Sequence, residues 1–308
     1  MYKKTALLTF YAETPIHMGS GQSVSYVDLP IQRERHTSFP VLWASGIKGV
    51  IRNLALREWN DKDKVNTIFG PDPEDASDYA SCISITDAKI LLYPVRSVKG
   101  VFAWITCPFV LKRFKEDLNA IGVDFKVNGQ EIQILEISDN KVIIANDNLK
   151  IQGKNMVALE EFLFEAEVND EAKELARKLK ELIPENDLTN NLENHFAIVS
   201  DNVFKDFVNY AVEIRTRIRI DQVTGTVKRQ ALFSEELVPS ESVFYSLLFI
   251  KDSFNPNNKI NAENVLFEIN KLFSKHSLLQ LGGDETIGRG FVRVKFYSPQ
   301  EVSNEKDN

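Results

Sequence analysis

The sequence predicts an α+β fold with a ferredoxin-like βαββαβ core, and three observations carry that reading. Short apolar segments with strand character lie near both ends of the chain. Each end also carries a stretch with helical periodicity between two such segments, and one long section interrupts the pattern midway. At 308 residues and 43% hydrophobic content, the chain can bury one large core or two smaller ones.

Lys4 to Thr14 (KTALLTFYAET) is rich in strand formers and stops at Pro15. A polar, irregular stretch follows from His17 to Pro40, HMGSGQSVSYVDLPIQRERHTSFP. Ser45 is the expected N-cap of the first helix, whose Ile47, Val50, Ile51 and Leu54 share one face. Ile83 to Tyr93 reads as the second strand and Val101 to Thr106 as another. Pro108 suits the first residue of a helix running through Leu111, Phe114 and Leu118 to a stop at Gly122. Asp170 to Ile183 is strongly amphipathic, and Ser200 caps a helix bearing Phe204, Phe207 and Val208. Glu213 to Asp221 alternates as a strand, Thr224-Gly225 turns, and Val243 to Ile250 is a buried strand. Asn261 opens a last helix with Val265, Ile269 and Leu272, and Phe291 to Phe296 closes the core. The expected division is a discontinuous core of residues 1–93 and 240–297, an inserted accessory lobe of residues 94–239, and a disordered tail of residues 298–308.

Composition narrows the function. No apolar run reaches the roughly 20 residues of a membrane span, so the expectation is a cytoplasmic protein with no membrane partner. Cys82 and Cys107 form no metal-binding pair and read as core thiols. His17, His36, His195 and His276 lack ligand spacing. The net charge of −7 argues against nucleic acid only on average. Between Ile31 and Arg57 stand Arg33, Arg35, Lys48, Arg52 and Arg57 against Glu34 alone, whereas Glu160 to Glu193 carries eleven acids against four bases. Such segregation leaves a basic patch free to attract phosphates.

Three motifs bear on chemistry. In SGIKGVIR, Ser45, Lys48 and Arg52 converge near a helix N-terminus, which suits either a bound phosphate or two solvated charges. In EIRTRIRID, Arg215, Arg217 and Arg219 fall at every second residue of a strand and thus on one face, at intervals of about 6.5 Å, with Ile214, Ile218 and Ile220 facing the other way. That row suits a nucleic-acid backbone, or a solvated edge with Glu213 and Asp221 as counter-charges. GGDETIGRG, Gly282 to Gly290, has phosphate-loop glycine spacing, but Arg289 and Gly290 replace its Lys and Ser/Thr, so nucleotide hydrolysis is not supported.

The blocks His17-Met-Gly-Ser-Gly, Val27-Asp-Leu-Pro-Ile-Gln-Arg-Glu-Arg-His-Thr, Ser45-Gly-Ile-Lys-Gly, Ile68-Phe-Gly and the terminal Gly282-Gly-Asp-Glu-Thr-Ile-Gly-Arg-Gly strongly resemble the repeated backbone subunit of type III-B (Cmr) CRISPR effector complexes. The glycine-rich loop alone resembles only the wider RAMP superfamily; the Val-Asp-x-Pro-Ile-Gln-Arg-Glu block narrows it. The resemblance implies an RRM-like palm with an inserted thumb hairpin. It implies copies stacked head to tail on a guide RNA, with other Cmr subunits, and complementary single-stranded target RNA cut at regular intervals. Base pairing would then supply the specificity while protein grips the backbone.

The same resemblance makes Asp28 the residue tied to cleavage; His17, for proton transfer or a grip on RNA, and Glu235 or Glu236, just after the thumb strands, are expected to join the site. An ordinary aspartate, with a pKa of about 3.9, is a feeble base at neutral pH, so Asp28 is expected to hold or position a divalent ion, Mg²⁺ or Mn²⁺, bound with the RNA. Lys48, Arg52, Arg215, Arg217 and Arg219 are the expected guide contacts, supported by Ser45, Gly288, Arg289 and Gly290. From residues alone, Asp28 is a surface loop carboxylate. Two rival readings stand beside the endoribonuclease: a non-catalytic RNA-binding scaffold of the same superfamily, and a metabolic enzyme with a phosphate-bearing small substrate.

Overall fold

The computed structural model describes residues 2–23, 27–75, 77–127, 130–131, 134 and 136–299. The palm sheet is formed by β1 (Lys4–Ala12), β2 (Ala88–Arg96), β3 (Val243–Ile250) and β4 (Phe291–Tyr297). Their order is β4-β1-β3-β2 with every neighbour antiparallel, Phe10 lying between Phe244 and Val294. The helix α1 (Ala44–Trp59) separates β1 from β2, and α2 (Ala262–Lys275) separates β3 from β4. This is the βαββαβ core that the sequence predicts.

The apolar run of β1 is continuous because both of its faces are covered. Its Thr5 and Thr9 hydroxyls donate to the Ile121 and Leu182 carbonyls of the inserted lobe, at 3.0 and 2.7 Å. α1 buries Ile47, Ile51 and Ala55, and α2 buries Val265, Ile269 and Leu272.

The lobe grows from the edge of the palm. Beyond β2 the same sheet continues through Phe102–Thr106, Phe196–Ile198, Lys141–Ile144, Phe162–Val168 and Met156–Leu159, so the lobe has strands as well as helices. Its longer helices are Pro108–Ala120, Asp170–Leu182 and Asp201–Tyr210. Local signals read correctly here: Pro108 opens its helix, Ser200 Oγ accepts from Val203 N, and in the palm Asn261 Oδ1 accepts from Asn264 N. Cys82 and Cys107 are free and buried, as core thiols.

Several expectations differ. Ser45 is not the cap of α1: Trp43 holds that position, Ser45 is already helical, and the Asp87 carboxylate accepts from Ala44 N at 2.8 Å. The expected strand Ile83–Tyr93 is broken into Ile83–Ile85 and β2, because Thr86 turns its hydroxyl to Leu247 N while Asp87 caps the helix. β2 itself runs on to Arg96, past the expected core limit at residue 93. At the C-terminus, Ser298 is buried against the fold; residues 300–308 of the expected tail lie outside the described residues.

Glu213–Ile220 and Val227–Leu237 form a separate two-stranded hairpin. Asp221 N donates to Thr226 O across its turn, and Gly225 takes the left-handed φ of 67° that the turn needs. Ile214, Ile218 and Ile220, on the face opposite the arginines, are about half exposed, whereas Glu235, Glu236 and Leu237 at the base of the hairpin are buried.

Candidate active site

Three segments meet where the hairpin joins the palm: the irregular stretch 17–40, the return strand of the hairpin, and the glycine-rich loop 282–290. Ile16 and Val238 exchange backbone hydrogen bonds at 2.9 Å. Leu29 N donates to Ser234 O, and Glu236 N donates to Leu29 O at 3.0 Å, so the irregular stretch meets the hairpin in one parallel β-bridge. On the other side, Gly283 N donates to His17 O and Gly290 N to Pro15 O.

Asp28 sits beside this bridge, exposed. Its Oδ2 accepts from Ser234 N at 2.7 Å and from Ser234 Oγ at 2.9 Å, and its own N–H donates to Ser234 Oγ. These bonds, the backbone one foremost, hold the Asp28 carboxyl below the usual carboxylate range. It opens into a groove of about 420 Å³ lined also by Gln22, Ser23, Leu29, Leu232 and Phe233.

Residues 31–34 of the block that follows Asp28 are engaged with the rest of the fold, while Arg35 and His36 are exposed. Gln32 Oε1 accepts from Trp43 N and its amide donates to Gly19 O. Arg33 donates to Ser38 O, Val208 O and the Glu236 carboxylate, the last at 2.6 Å. Glu34 accepts from Arg113 and from Thr37 Oγ1. Ile31 is buried. These residues tie an irregular backbone to the palm, the lobe and the hairpin, and so fix where Asp28 stands.

His17 is held to the same strand. Its Nδ1 lies 2.8 Å from Glu236 O, and a carbonyl only accepts, so Nδ1 carries the proton and the neutral ring keeps Nε2 as an acceptor. Ser234 and Glu236, the anchors of Asp28 and His17, are two residues apart, about 6.5 Å along a strand. Beside Nε2 lies Gly19, where a Cβ would come within 2.9 Å of it.

The two glutamates expected in the site are engaged within the fold. Glu235 is buried and ion-paired to the equally buried Arg289, and Arg217 lies 3.5 Å from it. Glu236 is buried, its Oε2 accepting from Ile31 N at 2.9 Å and its Oε1 from Arg33. Both carboxylates are internal ties, because a buried charge requires a partner and finds it in arginine. Arg289, expected to touch RNA, is likewise an internal cation, bonded also to Asp284.

The row of arginines divides. Arg217 reaches the Asp284 carboxylate at 3.0 and 3.1 Å and clamps the hairpin to the glycine-rich loop. Arg215 is paired with Glu213, and Arg219 has no ion-pair partner among the described residues. On α1, Arg52 is engaged with Asn66 and Asp72, both at 2.7 Å. Lys48 is half-buried with no ion-pair partner among the described residues, and burial first, then Arg52, push its ammonium down. Ser45 is exposed at the start of the helix; Gly288 and Gly290 take φ of 81° and 75° in the loop.

A resident metal does not fit these residues. Among those described, no three His, Cys, Asp or Glu side chains come together to hold an ion, and Asp28 already gives one of its oxygens to Ser234. Magnesium or manganese taking part here would have to draw its remaining ligands from the RNA.

The sequence profile of the RAMP superfamily matches residues 9–293. Over 303 residues the chain is 42% identical to the Pyrococcus furiosus CRISPR system Cmr endoribonuclease Cmr4, covering 98% of this chain and 97% of that protein. The chain belongs to the RAMP superfamily, in its Cmr4 family. The Saccharolobus solfataricus CRISPR system CMR subunit Cmr4 is 27% identical over 92% of this chain and 94% of that one. Among solved structures, oligomeric Cmr4 from Pyrococcus furiosus superposes with a TM-score of 0.71 at 36% identity, covering 96% of this chain and 98% of that one. A chain of the type III-B Cmr-beta complex bound to cognate target RNA superposes at 0.72 and 25% identity, with the same coverage.

Within this Cmr4-family site, sequence reasoning missed Ser234, Asp284 and Arg33. Ser234 follows Phe233 in an unremarkable strand, and its 206-residue separation from Asp28 leaves no local signal. The positions of Arg33 and Asp284 inside quoted blocks were visible, but not that their charges are consumed within the fold.

Proposed function

We propose that this chain is the repeated backbone subunit of a type III-B CRISPR effector complex, a guide-RNA-dependent endoribonuclease that cuts complementary target RNA at regular intervals. The observation that carries the reading is Asp28: an exposed carboxylate at the foot of the hairpin, held by one oxygen and facing an open groove, in a Cmr4-family chain. Its partners are guide RNA, target RNA, further copies of itself and the other Cmr subunits.

The chemistry is transesterification within the target strand. The 2′-oxygen attacks the adjacent phosphorus in line, the bond from phosphorus to the 5′-oxygen breaks, and a cyclic phosphate and a 5′-hydroxyl result. Asp28, ionised at neutral pH, accepts a hydrogen bond from the 2′-hydroxyl and holds it in line. His17, with Nδ1 fixed on Glu236 O, offers Nε2 to take the 2′-proton or, once protonated, to supply one to the leaving oxygen. Lys48 and Arg219, two cations without ion-pair partners among the described residues, grip phosphates; Arg52 and Arg215 join them only by loosening their present pairs. Guide RNA and neighbouring subunits limit an open head-to-tail stack.

The test assembles the chain with guide RNA and the other subunits and supplies labelled RNA, either complementary or scrambled. Regular cuts confined to the complementary strand, with binding that weakens as salt rises, support the reading. A complex that binds the complementary strand without cutting it would favour the scaffold instead.

A further inference from the structure

We infer that Ser234 is the positioning residue of the cleavage site: it fixes the rotamer of Asp28, and by standing on the hairpin strand it makes the aim of Asp28 depend on the seating of the thumb. The inference rests on the reading of Asp28 given above and assigns a role to a side chain that the reading does not use.

The two residues share three hydrogen bonds across 206 positions of sequence. The Ser234 hydroxyl donates its one proton to Asp28 Oδ2 and accepts from Asp28 N, so its orientation is determined at both ends. The Ser234 N–H closes on the same Oδ2 at 2.7 Å. Oδ2 is therefore occupied, whereas Oδ1 has no hydrogen-bond partner among the described residues. A carboxylate held by one oxygen alone presents the other in a fixed direction, which is what in-line geometry asks of an acceptor.

Among the described residues, no other group on the groove wall bonds to the Asp28 carboxylate. Gln22, Ser23, Leu29, Leu232 and Phe233 line it, and none carries a charge. The backbone rungs from Leu29 to Ser234 and from Glu236 to Leu29 hold the main chain of the loop in place but leave the Asp28 side chain free to rotate. Orientation of the carboxylate thus falls to Ser234. Ser234 lies within Val227–Leu237, the return strand of a hairpin whose outer faces are exposed, and the hairpin is fastened to the glycine-rich loop by Arg217 and Asp284. A shift of that strand when RNA or a neighbouring copy engages the hairpin moves Ser234, and Asp28 with it. Threonine keeps the hydroxyl and the N–H; alanine keeps only the N–H.

The experiment compares wild type, Ser234→Ala, Ser234→Thr and Asp28→Ala, each assembled with guide RNA and the other subunits, by single-turnover cutting of bound complementary RNA across pH. Loss of one charge-assisted bond to the carboxylate should slow cutting by Ser234→Ala on the order of 10-fold, with target affinity and cut positions unchanged. The Ser234 bonds keep the carboxyl ionised to lower pH, so removing the hydroxyl should also move the acid limb of the rate upward in pH. Ser234→Thr should restore both. If Ser234→Ala cuts at the wild-type rate with an unmoved acid limb while Asp28→Ala is inactive, Asp28 keeps its role and Ser234 loses the one assigned here. If Ser234→Thr fails as Ser234→Ala does, with all complexes assembled, the hydroxyl is not the operative group and the inference falls. If Asp28→Ala cuts normally, the reading of Asp28 falls and takes this inference with it.

Discussion

Gly282 packs against His17 so closely that a Cβ at position 282 would lie 2.3 Å from the His17 carbonyl oxygen, and Gly283 N donates to that same oxygen at 2.9 Å. The glycine-rich loop, which resembles a phosphate cradle in sequence, serves here to let one backbone press on another. Gly282→Ala should cost several kcal/mol, on the order of 3, because it adds a backbone clash to a left-handed φ of 85°. Gly288→Ala, with a similar φ of 81° and open space around it, should cost only about 1 kcal/mol. Denaturant unfolding of the two variants checks the difference, and target cutting should fall in the first because His17 is displaced.

Arg289 and Glu235 form the buried pair beneath the site, and Arg289→Ala leaves a buried carboxylate without its main partner. The expected loss is about 3–5 kcal/mol of stability, read by denaturant unfolding. The salt dependence of RNA binding by whatever folded complex is recovered should keep its slope, since no phosphate contact is removed.

Lys48 behaves oppositely. It is a half-buried cation without an ion-pair partner among the described residues, and the fold holds its pKa below the ordinary lysine value of 10.5. The folded chain thus binds fewer protons there than the unfolded one, so this group's contribution to stability rises with pH as 10.5 is approached from below. Lys48→Met should leave the free chain as stable as wild type or more so, and should lower the slope of log affinity for RNA against log salt by about 1. Thermal unfolding and a salt titration on the same variant read both.

Much of the fold was legible because its signals are local. Helical periodicity over Ala44–Trp59, Pro108 at a helix start, and the Ser200 and Asn261 caps each involve residues within a turn of one another. The cap of α1 was not legible, since Asp87 supplies it from 43 positions away. The site divides in the same way. Asp28 stood out through its block, but no spacing reveals that Glu235, Glu236 and Arg289 are buried while Lys48 and Arg219 have no ion-pair partner among the described residues. Burial of charge is decided by how three distant segments meet, and Arg217 shows it best: one of three arginines in a row, it is the one that finds Asp284, 67 residues on.

Arg217 and Arg219 therefore separate a clamp from a contact. Arg219→Ala should weaken RNA binding and reduce its salt slope while leaving unfolding within about 0.5 kcal/mol of wild type. Arg217→Ala should leave the slope intact but loosen the hairpin base, seen as faster amide hydrogen exchange in Val227–Leu237.

The most direct test of the central claim sets Asp28→Ala against wild type, each assembled with guide RNA and the other subunits, and follows binding and cutting of labelled complementary RNA. The account predicts unchanged binding and the loss of the regular cuts, by two orders of magnitude or more in rate, on the order expected for removing a group that orients the reacting atoms. Equal cutting by the two proteins would contradict it and would move the active site elsewhere in the complex.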